Sequence, residues 1–212
     1  MPFTTYRTIA DVIQEFGILY READFIEPQP FPISDYIRAE LAFSRAEVVV
    51  ENSEAAICEA FIYPILREVW KAHKDTLMLW SHRTVRVNEQ LSGQPDYLVA
   101  QRSPLGKVIL ERPCFAVVEA KQDNFTAGWG QCAAELVALQ QLNESSEINI
   151  LGIVANVNRW EFAQLQGQQF TKNQTGYNIE DLDSLFGAVG YVFEQCARQA
   201  LSHNQIRQLD SQ

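Results

Sequence analysis

The chain has 212 residues, 47% of them hydrophobic, and a formal net charge of −10. It is long enough for one substantial core, and its acidity excludes a protein that coats nucleic acid indiscriminately, though not one with a local basic cleft. No apolar run reaches the ~18 residues of a membrane span. No basic segment followed by an apolar one marks a secretory signal between Met1 and Gly17, and Cys58, Cys114, Cys132 and Cys196 lack disulfide or zinc-ligand spacing. A cytoplasmic protein with reduced core thiols is expected.

In chain order, residues 5–22 carry Ile9, Val12, Ile13, Phe16 and Leu19 at helical spacing. Pro28, Pro30 and Pro32 then make a stiff connector. Ser34 or Asp35 caps a helix through Tyr36, Ile37, Leu41 and Phe43. Residues 1–50 read as a helical extension packed on the core, with room for a docked protein partner, and residues 51–212 as one α/β domain. Asn52-Ser53 opens the next helix, with Ser53 as N-cap and Ile57, Cys58, Phe61, Ile65 and Val69 as its apolar stripe. Glu54 projects from the buried-facing side of the first turn, where it serves either the helix dipole or a site. Glu59, on a neighbouring face, is the reserve candidate.

The window from Arg67 to Arg86 carries Arg67, Lys71, Lys74, Arg83 and Arg86 against Glu68 and Asp75. Together with Arg102, Lys107 and Arg112 it is either a solvated face or a basic rim toward phosphate. Leu77 to Val87 reads as the first strand and Tyr97 to Ala100 as the second, with Asp96 at its start. Pro113 and the β-favouring Phe115, Val117 and Val118 make Cys114 to Val118 a strand buried on both faces. It stops in Glu119-Ala120-Lys121, where the two charged side chains lie on the same face. An ordinary strand-end ion pair is the competing reading. If these two strands are antiparallel neighbours, Asp96 lies alongside Glu119 and Lys121.

Gly128 and Gly130 permit close backbone approach near the start of a helix over 131–142, where free N–H groups receive an anion. Gln131 and Glu135 share a face of that helix, and Gln131 is expected nearer the cleft. Ile148 to Val157 form a buried strand and Trp160 to Leu165 an edge strand. Gln164 to Gln174 is glutamine-rich but short. A closing amphipathic helix runs from Ile179 to about Leu201, and the polar tail from His203 frays.

The order helix, strand, strand, strand, helix, strand is thus complete, with an acid on the first helix. Pro95-Asp96, and Glu119-Ala120-Lys121 twenty-three positions on, resemble the PD-(D/E)XK nuclease superfamily over roughly residues 52–165. The resemblance implies a restriction-endonuclease-like αβββαβ core with a mixed central sheet flanked by helices. It also implies a nuclease that hydrolyses phosphodiesters, of DNA more than RNA, with Mg²⁺ or Mn²⁺. Oxygen ligands suit such a cation: Asp96, Glu119 and the main chain of Ala120. Lys121 would act on developing charge, Glu54 would position a water, and Gln131 would hold that water or a phosphate. The histidines form no zinc-hydrolase pattern with carboxylates. The alternative is a catalytically inactive nuclease-like module that binds protein, and a homodimer is compatible with either.

Overall fold

The computed structural model describes residues 2–50 and 53–210. In chain order the elements are α1 (Ile9–Phe16), β1 (Leu19–Glu22), α2 (Asp35–Glu47) and α3 (Glu54–Ile57). A π-helical turn (Cys58–Ile62) carries α3 into α4 (Tyr63–Lys71). There follow β2 (Leu77–Ser81), β3 (Val85–Arg86), β4 (Ser92–Gly93), β5 (Tyr97–Gln101), β6 (Glu111–Ala120) and α5 (Phe125–Asn143). The chain closes with β7 (Ile150–Ala155), β8 (Arg159–Gln166), β9 (Gln169–Lys172), β10 (Tyr177–Asn178) and α6 (Leu182–Asp210). The expected αβββαβ order is present as α3–α4, β2, β5, β6, α5 and β7.

A mixed eight-stranded sheet, flanked by helices, forms the centre. Its order is β1-β9-β8-β7-β6-β5-β2, with β10 paired to β8. β6 lies between β5, to which it is antiparallel, and β7, to which it is parallel. Cys114 to Val118 are wholly buried because both faces of β6 are covered. Ala116, Val118 and Ala120 share a core with α4 and α6; Cys114 and Val117 share one with α5. Ile65, Leu66 and Val69 of α4 retain no exposure, and each such side chain stabilises the fold by roughly 1.5–3 kcal/mol.

Several elements differ from the pattern read in the sequence. The helix expected over 5–22 stops at Gly17, which adopts a left-handed C-cap at φ 64°. The chain beyond it becomes β1 and pairs in parallel with β9, so the N-terminal segment supplies the sheet's edge as well as helices. Trp160 to Leu165 is consequently not an edge: β8 is flanked by β7, β9 and β10, and the glutamine-rich stretch is the β8–β9 hairpin. The expected 77–87 strand ends at Ser81, and Val85–Arg86 pair instead with β4 in a separate ribbon. α5 begins at Phe125, capped by the Asn124 side chain, which puts Gly128 and Gly130 inside the helix. α6 runs on through His203 to Asp210, where a frayed tail was expected. Ser53 is the N-cap of α3, while Asn52 lies outside the described residues. The four cysteines are buried and free, and among the described residues no helix is long and apolar enough to cross a membrane.

An ionic network centred on the buried Glu161 stands at the same end of the sheet as Glu119, two strands across, because Glu119 pairs with Val154 and Val154 with Glu161. Glu161 on β8 accepts from Trp129 Nε1 (2.6 Å) and pairs with Arg159 (2.5 Å) and Lys172 (2.9 Å). Burial pushes its carboxyl up, but Lys172, Trp129 and Arg159 outweigh this and hold it below the ordinary carboxylate range. A lowered folded-state pKa adds stability that is present above the unfolded value and lost as pH falls. Glu161→Leu is expected to cost about 2–3 kcal/mol in urea unfolding at pH 7, because it leaves the Trp129 indole N–H and the largely buried Lys172 ammonium without their acceptor, while the exposed Arg159 returns to water. The deficit should shrink as pH falls below the ordinary carboxylate range and the native carboxylate is itself protonated.

Candidate active site

The site forms where β5 begins and β6 ends. Tyr97 pairs with Val118, so the preceding Asp96 stands beside the following Glu119. Alternation along each strand puts both on the α5 face: Leu98 and Val117, two residues away from them, lie in the α5 core. Asp96 is anchored, since its Oδ2 accepts from the Ala120 backbone N–H at 2.8 Å. Lys121 is anchored in turn by its own N–H, which donates to Ala155 O (2.9 Å). Its Nζ lies 3.4 Å from Glu119 Oε2 and 3.6 Å from Glu54 Oε2. Asp96, Glu119, Lys121 and Glu54 therefore meet at one sheet end, with α3 on one side and α5 on the other.

Gly128 makes room for the lysine. A Cβ there would meet Lys121 Cγ at 2.7 Å and Val154 Cγ1 at 2.9 Å. Gly130 plays the same part for the N-terminal segment, whose Tyr6–Thr8 backbone comes within 2.5–2.7 Å of where its Cβ would stand. These close approaches offset the helix propensity that two glycines cost.

Glu135 is the residue that the sequence reading undervalues. It is fully buried on α5, accepts from Gln131 Nε2 (3.2 Å) and faces Glu119 within hydrogen-bonding reach. Gln131 thus reaches Glu119 only through Glu135, the reverse of the expected order. Glu119 Oε1 and Glu135 Oε2 have no donor if both groups are ionised. Burial, and then the Asp96 charge, push the Glu119 carboxyl up to about 7. Burial and the Glu119 charge push Glu135 well above the ordinary range. Burial pulls Lys121 down, but Glu119, Glu54 and Asp96 outweigh it and hold its pKa above the usual lysine value. A signal for Glu135 does exist: it is the one carboxylate in the apolar run from Cys132 to Leu139.

The sequence reading gives His82 no carboxylate partner. Its N–H donates to Asp96 O (2.9 Å), its Nε2 lies 3.5 Å from Asp96 Oδ1, and Ser81 Oγ bonds its Nδ1 (2.8 Å). It adopts φ 50°, a left-handed conformation that costs a non-glycine residue roughly 1–2 kcal/mol. No sequence spacing links residue 82 to residue 96; the β2–β5 pairing creates the contact. Glu59 remains exposed on the π-helical turn, away from the Lys121 ion pairs.

Strand direction divides the expected basic rim. Arg102 follows β5 and bonds the Lys74 carbonyl; Lys107 lies in the β5–β6 loop; Arg112, near the start of β6, pairs with Glu144. All belong to the end of the sheet opposite Asp96 and Glu119, and Lys71 is paired with Glu68. Arg83 and Arg86, between β2 and β5, remain on the site side, with Arg67 over Tyr63.

The donor set suits a hard dication. Three carboxylates, Glu54, Asp96 and Glu119, surround one ammonium and leave an excess of negative charge. Glu119 Oε1 is a buried oxygen without a donor. Among the described residues no group of three or more histidine, cysteine or acidic side chains forms a metal cage. Mg²⁺ asks less than a cage, since it takes one or two carboxylates and keeps waters.

No protein-family model and no curated protein matches this chain. Among solved structures it is similar to a chain of a cryoEM DrdV–DNA complex, at TM-score 0.44 and 16% identity. The match covers 74% of this chain and 13% of that one, so the chain spans only a small part of that protein's length.

Proposed function

We propose that this chain is a metal-dependent nuclease of the PD-(D/E)XK kind, hydrolysing phosphodiester bonds, with DNA as the first substrate to test. The observation that carries the reading is the meeting of Asp96, Glu119 and Lys121 on one face where two neighbouring strands end. Asp96, Glu119 and the Ala120 carbonyl would hold Mg²⁺ or Mn²⁺, which when bound supplies charge stabilisation and acidifies an attacking water. Lys121, its ammonium fixed by Glu119 and Glu54, stabilises charge developing on the phosphate. Glu54 stands on the open side of Lys121 and orients a water there. Gln131 acts through Glu135 as a support for Glu119. The direct test is cleavage of single- and double-stranded DNA and RNA with and without Mg²⁺ or Mn²⁺. Failure to cut any of the four, together with no cation binding in calorimetry, would end this reading.

The net charge of −10 favours a second reading, an inactive module that binds protein. A salt series separates the two. Phosphate contacts release counterions, so a nucleic-acid ligand should lose affinity steeply as salt rises. Arg83→Ala and Arg86→Ala should each reduce the slope of log K against log salt by about one. Arg102→Ala and Lys107→Ala, at the far end of the sheet, should leave the slope unchanged. A salt-insensitive wild type would favour the protein-binding module.

A further inference from the structure

Beside the carboxylates, across β5 from Lys121, lies a cavity of about 330 Å³. Ala55, Cys58, Glu59 and Tyr63 form its helix side. The π-helical turn brings these residues into line: the Tyr63 N–H donates to Cys58 O, five residues back, and Pro64, lacking an N–H, cannot restore the α-helical bond to Ala60. Leu79, Ser81 and Tyr97 form the sheet side, and His82 stands at the edge nearest Asp96. Along this sheet end Lys121 follows β6, Asp96 precedes β5 and His82 follows β2, while Leu79 and Tyr97 put the cavity on the α4 face, opposite the α5 face that carries Asp96 and Glu119. His82 joins the two: it lines the cavity and its Nε2 lies 3.5 Å from Asp96 Oδ1, so the cavity opens at the same sheet end as the Asp96–Glu119 cleft.

The lining selects the occupant. Leu79 and Cys58 add apolar surface beside the two tyrosine rings; Tyr63 and Tyr97 are stacked at 5.9 Å, and the Tyr97 ring is held in place by burial. Ser81, His82 and Glu59 place hydrogen-bonding groups at the rim. The exposed Glu59 carboxylate repels a phosphate but accepts from a base amino group. The volume is at the low end for ligand cavities, enough for one planar heterocycle with its sugar outside. The strained His82 backbone and the π-helical turn, both features that concentrate at functional sites, adjoin this one cavity.

We propose that the cavity receives one nucleobase of the strand being cut, taken out of its stack beside the scissile phosphate. The proposal rests on the nuclease reading and narrows it: the preferred substrate is single-stranded or locally opened nucleic acid. A base within a closed duplex cannot enter without being unpaired.

The test is an NMR titration of the intact, divalent-free chain with nucleoside 5′-monophosphates, a single-stranded trinucleotide, a closed hairpin duplex and ribose 5-phosphate. Nucleotides and the trinucleotide are expected to shift the amides of Glu59, Tyr63, Ser81 and His82, saturating at roughly millimolar concentration. Ribose 5-phosphate and the duplex should leave those amides in place. Ala55→Trp, which fills the cavity from its exposed edge, should abolish the shifts without altering the thermal melt. Equal shifts from ribose 5-phosphate, or no shift at these amides with any nucleotide, would overturn the base pocket. If the same protein still cuts nucleic acid with Mg²⁺, the nuclease reading survives that result. If it neither binds nor cuts any strand, both fall together.

Discussion

Glu119→Gln is expected to abolish divalent-dependent cleavage and, in the metal-free protein above neutral pH, to raise stability. The first effect follows from removing a cation ligand, and Asp96→Ala should share it. The second follows from the position of Glu119, buried opposite Glu135 with one oxygen lacking a donor. Its folded-state pKa, raised to about 7, fixes the sign. A raised carboxyl contributes stability that is full below its unfolded value and lost as pH climbs through the folded one. At pH 8 the cost is on the order of 3 kcal/mol, which an amide avoids. The variant should therefore melt above the wild type by roughly 5–10 °C at pH 8, and by little at pH 5. Saturating Mg²⁺ should stabilise the wild type and not the variant. Metal-free melts at both pH values measure this. A Glu119→Gln variant less stable than wild type at pH 8 would mean that Glu119 is already well satisfied without a cation. Such a trade of stability for a site is the usual cost of holding like charges together.

The parts of the site legible in the sequence are those carried by strand ends. An apolar run that stops in a charged pair announces where β6 emerges, and a carboxylate after Pro95 marks the start of β5. Alternation then fixes which face each side chain takes. What sequence leaves open is whatever depends on a second element arriving in space. Glu135 lies sixteen positions after Glu119 and meets it only because α5 lies back across β6. His82 meets Asp96 through the β2–β5 register. The basic residues look like one rim because they are close in sequence, yet antiparallel strands carry them to opposite ends of the sheet. Gly17 is legible as a helix stop but easily passed over, because the apolar spacing continues to Leu19. β1 is hidden for a different reason. It is an exposed four-residue edge strand, so no alternation of burial marks it.

Lys121 is expected to fail differently from the carboxylates. Lys121→Ala should bind Mg²⁺ at least as well as wild type, since it removes a like charge from beside Glu119 and Glu54, yet lose about 10²–10³ in cleavage rate. The loss should fall on kcat more than on KM, because the ammonium's contribution grows as charge develops. Gly128→Ala offers an independent route to the same group. A methyl at that position collides with the Lys121 stem and with the buried Val154 side chain. Val154 has no exposed side to move into, so the lysine stem must yield. Helix propensity alone favours alanine by roughly 0.5–1 kcal/mol. Lost activity in a chain whose α5 is no weaker would therefore come from displacement of the ammonium. We expect Gly128→Ala to reduce kcat by about tenfold or more with Mg²⁺ affinity unchanged. The double variant, Lys121→Ala with Gly128→Ala, should be no slower than Lys121→Ala alone, because the glycine acts only through the lysine. Single-turnover cleavage by the four proteins, with calorimetry for Mg²⁺, completes the cycle. Full additivity of the two losses would show that Gly128 serves the helix rather than the lysine.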